Sequence, residues 1–178
     1  MNTRSGRDRG AAPPYRVRLP LLDRLTDDDP DTRQDPPVSA AQALAVLRHS
    51  VRRDIEALLN ARRRWRSWPS GYEQLAVSPV GYGISDFAAG AFNDPAQRER
   101  LCSQIEDTIR RFEPRLAQVR VVQVDTGNPL EATLRLRIEG LLRTEPAPEP
   151  IAFDTLVEAA TAEVQVKAPA GNRPALDL

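Results

Sequence analysis

An α+β fold is predicted: two main helices packed on one face of a small, mostly antiparallel four-stranded sheet, helices first and strands C-terminal. Two observations carry this expectation. Apolar residues recur at three- and four-residue steps in two long stretches of the first two thirds of the chain. In the last third they recur at every second residue, in short runs separated by turn formers. Runs of helix followed by runs of strand segregate into two layers, each burying the apolar side of the other.

Residues 1–38 read as an extended, largely disordered arm. Prolines at 13, 14, 20, 30, 36 and 37 exclude a long helix there. Its only apolar knot is Leu19, Leu21, Leu22 and Leu25, enough for about one helical turn. So little apolar area does not offset the arm's ordering entropy. The knot is the expected docking point, on the arm's own domain or on a partner. From Ser39, Leu44, Leu47, Val51, Ile55 and Leu58 draw one apolar stripe to Asn60. Ser39 suits the N-cap, although no acid stands three residues on to complete a capping box. Pro69, Gly71, Pro79, Gly81 and Gly83 break the stretch beyond, with a short helical turn around Tyr72–Val77.

The second helix begins at Asn93 or Asp94 with Pro95 in its first turn, and buries Leu101, Ile105, Ile109 and Phe112. Pro114 stops it and pushes Glu113 towards an extended backbone. Val119–Val124 and Ala132–Ile138 then form a hairpin around Asp125–Pro129. In the second of these strands Leu134, Leu136 and Ile138 share one face, and Arg135, Arg137 and Glu139 the other. Pro146, Pro148 and Pro150 make a stiff link to a second hairpin, Ile151–Val157 with Glu163–Lys167. One of these two strands is expected near an open sheet edge, where another chain can add a strand. Residues 39–167 thus form one domain, and 168–178 a flexible tail.

Composition narrows the function classes. The 178 residues carry 25 basic and 25 acidic side chains, one His and one Cys. Neutrality argues against a generally basic nucleic-acid binder. A single cysteine forbids an internal disulfide, and one Cys with one His forbids the usual zinc sets, leaving only all-carboxylate metal sites open. No apolar run approaches the roughly 18 residues of a membrane span, and the Arg/Pro-rich start is no signal peptide. A cytoplasmic protein without cofactor or membrane insertion is expected.

Charge is segregated, however. Residues 1–18 hold five Arg against one Asp, 19–38 two Arg against six Asp, and 39–66 seven Arg against two acids. The run Arg62-Arg63-Arg64-Trp65-Arg66 with Trp68 has the cations and indoles of a nucleic-acid patch. A basic helix end facing the negative end of the dipole, or contact with an acidic protein, explains it as well. No nucleophile elbow, P-loop or dinucleotide fingerprint is present, and Gly81-Tyr82-Gly83 lacks the third glycine and helix start that phosphate binding requires. His49 stands one position off the first stripe as a boundary residue, and Cys102 reads as a small semi-buried one. Glu73, Asp86 and Glu113 are the acids that a muramidase mechanism would draw on, yet any acid-rich protein supplies such pairs.

One ordered series is more specific. Leu21-Leu22-Asp23-Arg24-Leu25, Ser50 to Arg62, Tyr82-Gly83-Ile84-Ser85-Asp86-Phe87, Ile109 to Leu116, Asn128-Pro129-Leu130 and Pro148 to Thr155 follow at set spacings. Over roughly residues 19–167 this series resembles the TssE family, the type VI secretion baseplate wedge subunits within the lysozyme-like wedge family of contractile phage tails. Gly81 and Ser85 depart from that family's usual Asn and Pro. The resemblance implies a non-enzymatic baseplate part that binds TssF, TssG and other baseplate proteins. It also implies a role in starting the TssB/TssC sheath, and a partner-binding role for Glu113, Pro114 and Arg115.

The residues themselves leave two readings of that segment. In an extended stretch Glu113 and Arg115 point to one side and can offer a paired anion and bidentate cation, with Pro114 stiffening the backbone between them. Alternatively the segment is a helix stop whose two charges pair with each other.

Overall fold

The computed structural model describes residues 20–26, 39–63, 69, 71–85, 94–124, 133–145, 147–158 and 160–169. The expectations for the rest of the arm, for Trp65, Trp68, Asp86 and Phe87, for the first hairpin's turn and for the C-terminal tail lie outside these residues.

A single helical turn, α1 (Leu21–Leu25), precedes the long helix α2 (Ala40–Asn60). The N-terminus of α2 is closed by a full capping box after all. Gln42 supplies it in place of an acid: its backbone N–H donates to the Ser39 hydroxyl (3.3 Å), and its side-chain oxygen accepts from the Ser39 N–H (3.0 Å). The chain then continues as β1 (Arg62–Arg63), two 3-10 turns (Glu73–Val77 and Pro79–Gly81) and β2 (Ile84–Ser85). Helix α3 (Pro95–Phe112) follows, with Asp94 as its N-cap accepting from the Ala96 N–H at 2.9 Å. Four strands close the domain: β3 (Leu116–Gln123), β4 (Thr133–Leu142), β5 (Glu149–Glu158) and β6 (Val164–Lys167), antiparallel in the order β3-β4-β5-β6. The α+β architecture is therefore as the sequence indicates.

One sheet face packs on the helices. Registers Val121↔Ile138↔Phe153, Leu136↔Thr155↔Val166 and Leu134↔Val157↔Val164 put these residues in rows beneath Val51, Ile55 and Leu59 of α2 and Ile105 and Ile109 of α3. Each such aliphatic side chain contributes about 1.5–3 kcal/mol when removed from water. The other face is mixed: Val122, Leu141, Ala152 and Leu156 lie on it beside Arg137 and Asp154, register partners joined at 3.0 Å. Glu139 lies on that face as expected and is buried at 6% exposure.

Of the two strands expected near an edge, one is an edge strand. Ile151–Val157 is interior, flanked by β4 and β6, and Val164–Lys167 forms the edge. That edge is already saturated by α2. Asn60 donates its amide N–H to the Val164 carbonyl (2.8 Å) and accepts the Val164 N–H (3.0 Å). Glu56 accepts the Val166 N–H (2.9 Å), and Arg52 donates to the Val166 carbonyl (2.9 Å). The match is geometric: four residues of helix rise about 6 Å, and two residues of strand span about 6.6 Å. Side chains at 52, 56 and 60 therefore fall in step with 166 and 164. At the opposite edge, Glu106 accepts the Val121 N–H (3.0 Å) and Arg110 donates to the Val119 carbonyl (3.2 Å). Pro150 is tolerated inside β5 because its missing N–H faces the β6 side, beyond the last β6 pair at Asp154↔Lys167.

Arg62 meets the end of α2 as the helix-end reading expects, donating to the Leu59 carbonyl (2.7 Å), but residues 62–63 are not helical. They leave α2 as an extended pair and bridge in parallel to Ile84–Ser85. Gly83 makes this possible: its φ is +98°, and a Cβ there would lie 2.3 Å from the Ala61 carbonyl oxygen. The close approach lets the Ile84 N–H donate to that carbonyl at 3.1 Å.

Candidate partner-binding site

The C-terminus of α3, the middle of α2 and the loop entering β2 converge on one groove of about 430 Å³. Leu58, Phe112 and Tyr82 supply its apolar wall, Pro20 and Leu21 close one side, and Asp54, Glu113, Pro114 and Arg115 rim it. Tyr82 meets Phe112 edge to face at 5.3 Å between centroids and 75° between planes. Burial raises the pKa of the Tyr82 hydroxyl, with the Asp54 and Glu113 charges adding to it.

In the structure the Glu-Pro-Arg segment is a turn, not an extended stretch, and its two charges pair with each other. Glu113, at the C-cap of α3, is buried at 4% exposure. Arg115 turns back onto it: its Nε donates to Glu113 Oε1 at 2.6 Å, and its Nη2 contacts Oε2. The Arg115 backbone N–H also donates to Oε1 (3.2 Å), the tight return that Pro114 enforces. The two charges thus pair internally, with Pro114 exposed and Arg115 partly so, its side chain at 25%. Glu113 is the buried member of the pair and Arg115 the partly exposed one.

A chain of alternating charges extends from this pair. Arg115 Nη2 donates to Asp54 Oδ2 (2.7 Å), and Arg53 Nε donates to Asp54 Oδ1 (3.0 Å). Arg53 Nη1 in turn donates to Asp23 Oδ1 at 2.8 Å, while the Ser50 hydroxyl donates to Asp23 Oδ2. Burial opposes the charge of Arg115, but its bonds to Glu113 and Asp54 outweigh that and hold its pKa above the usual value. Sequence reasoning missed Asp23, Arg53 and Asp54. Asp54 and Arg53 sit beside the apolar stripe as an ordinary surface pair would, and nothing local says that a residue 30 positions upstream completes them.

The arm's turn docks through this carboxylate and not through its leucines. Leu21, Leu22 and Leu25 are 67%, 61% and 72% exposed. The Ser50 hydroxyl lowers the Asp23 pKa below the ordinary 3.8, against burial, with Arg53 and the Arg115 charge helping. A lowered folded value means that the stabilisation is complete above 3.8 and vanishes as pH falls through the folded pKa. Docking of residues 20–26 should therefore be constant from pH 8 to 5 and lost only below about 4. Backbone chemical shifts of Leu22–Leu25 followed across that range measure this; release near pH 6 would contradict it.

The other sequence candidates fall elsewhere. Arg62 donates to the Leu59 carbonyl (2.7 Å) and to that of Ala162, and Arg63 donates to the Ser85 hydroxyl (2.9 Å), so both are turned to internal work. His49 and Glu73 are exposed, away from the groove. Cys102 is half-buried, and burial raises its thiol pKa, the opposite of what a nucleophile requires.

A family model described as "Baseplate wedge protein gp25" matches residues 45–147. That span contains most of α2, all of α3 and the Glu113–Arg115 turn, and ends before β5. No curated protein matches the chain.

Proposed function

The chain belongs to the baseplate wedge protein gp25 family, and from that premise we propose that it serves a type VI secretion system as the TssE-type subunit. As a member of that family it is a structural baseplate component. In the proposed role it binds TssF and TssG, contacts other baseplate proteins and helps begin the TssB/TssC sheath at the inner face of the cell envelope. The observation that carries the reading is the Arg115 guanidinium: held by a buried carboxylate, set beside an exposed proline, and still partly open to solvent. A preorganised, partly desolvated Arg is the side chain best suited to anchor a protein interface.

We also propose that the protein does not hydrolyse glycans. Both carboxylate oxygens of Glu113 are engaged by Arg115, so neither is placed to protonate a glycosidic oxygen. Co-expression with TssF and TssG tests the assembly role. Wild-type protein should co-purify with them, whereas Glu113→Ala/Arg115→Ala should not, its helical circular dichroism being retained. Unchanged co-purification of the folded double variant would overturn the site reading. Turnover of peptidoglycan, lost in Glu113→Gln, would restore the muramidase alternative.

A further inference from the structure

We propose that Asp23, in the N-terminal arm, is a positioning residue for Arg115, so that the arm completes the partner site of its own domain in cis. The proposal rests on the reading of Glu113 and Arg115 as that site.

The argument begins with what holds α1. None of its residues is buried, and its three leucines face solvent. A single turn is also too short to be stable alone. Its hold on the domain is the Asp23 carboxylate, whose two oxygens take one hydroxyl and one guanidinium from a single face of α2, Ser50 and Arg53 lying three residues apart.

The bond to Arg53 has a consequence at Asp54. The Asp54 carboxylate is divided between two arginines: Oδ1 takes Arg53 Nε and Oδ2 takes Arg115 Nη2. A free guanidinium prefers to grip a carboxylate with two parallel bonds, using both oxygens. Arg53 does not do so: Asp23 holds its Nη1 at 2.8 Å and so fixes the plane of the guanidinium, and Nη2, the arm that would complete the fork with Nε, is buried without a hydrogen-bond partner. Asp23 thus restricts Arg53 to one oxygen and leaves the other for Arg115. Without Asp23, Arg53 is released to take Asp54 with both arms, and Arg115 loses one of its two anchors. The arm also places Pro20 and Leu21 in the wall of the same groove, so docking and groove shape change together.

The test uses the full chain and three variants: Asp23→Asn, Asp23→Glu and Arg115→Ala. Three quantities are read: amide exchange of Leu22–Thr26, the Nε–H resonance of Arg115, and affinity for a purified TssF/TssG complex. Asp23→Asn should free the turn, move the Arg115 resonance and weaken binding on the order of tenfold, the usual size of such coupling. Asp23→Glu, which keeps the charge, should recover part of both. An unmoved resonance in Asp23→Asn overturns the proposal whatever happens to binding, because lost binding alone would mean that the leucines touch the partner directly. A moved resonance with unchanged affinity overturns it too, provided that Arg115→Ala abolishes binding. If Arg115→Ala binds normally, the site reading itself has failed, and the resonance alone then decides whether Asp23 positions Arg115.

Discussion

Arg115→Ala in the isolated protein should lower the unfolding free energy by about 3–5 kcal/mol, the cost of leaving a buried charge without its partner. Glu113 would be that charge, at 4% exposure, with its oxygens held in the structure by Arg115. The reverse truncation is milder. Glu113→Ala leaves Arg115 its Asp54 bond and a quarter of its side chain in water, and should cost about 1–3 kcal/mol. The double variant should then be more stable than Arg115→Ala alone, since no orphaned carboxylate remains. Urea denaturation of the four proteins gives the coupling directly. A double variant at or below the sum of the single losses would mean that Glu113 is held by something other than Arg115. The sign matters for assembly experiments as well: loss of binding by Arg115→Ala is read on protein whose fold circular dichroism confirms, and the double variant separates lost binding from lost stability.

The second large effect belongs to Gly83. Alanine there meets two penalties at once. Its φ of +98° is a region that L side chains rarely adopt, costing about 1–3 kcal/mol. Its Cβ would also sit 2.3 Å from the Ala61 carbonyl oxygen, and relief by backbone movement costs a further 1–3 kcal/mol or about that. The movement would break the Ile84 N–H bond to Ala61 and, through Tyr82, loosen the edge-to-face contact with Phe112 at the groove. Gly83→Ala should therefore lower both thermal stability and partner affinity. By contrast Gly71, also at positive φ but with open space around it, should suffer only the backbone penalty when changed to Ala. Equal melting temperatures for the two variants would remove the close-approach argument.

Much of this was legible in the sequence because it depends on local rules. The stripe Leu44, Leu47, Val51, Ile55 and Leu58, the stop at Pro114 and the alternation through Leu134, Leu136 and Ile138 each state their own periodicity, and of these apolar residues all but the half-buried Leu44 are buried. Boundaries were less legible. Strand β3 begins at Leu116, three residues before the alternation becomes clear, and β4 runs on through Gly140 to Leu142. Pairing across the sheet extends both, and pairing is not a local property. The Glu113–Arg115 pair could be named from residue types two apart, but not the burial of one and the partial exposure of the other. The link between Asp23, Arg53 and Asp54 was invisible for a related reason. A carboxylate 30 residues from its guanidinium carries no spacing signal, and only the folded chain brings them together.

The Asn60 carboxamide has a consequence for how this sheet meets other chains. Chemically it is a peptide group, with one N–H given to the Val164 carbonyl and one oxygen receiving the Val164 N–H. The last strand therefore already possesses a neighbour of the kind it would otherwise seek. An incoming strand at β6 would have to evict Asn60, Glu56 and Arg52, exchanging hydrogen bonds one for one with little net gain. Stray self-association along that side is thermodynamically idle. Only a newcomer that brings apolar surface or charge of its own can displace the helix's side chains, so the same three residues that finish the sheet also act as its selectivity filter.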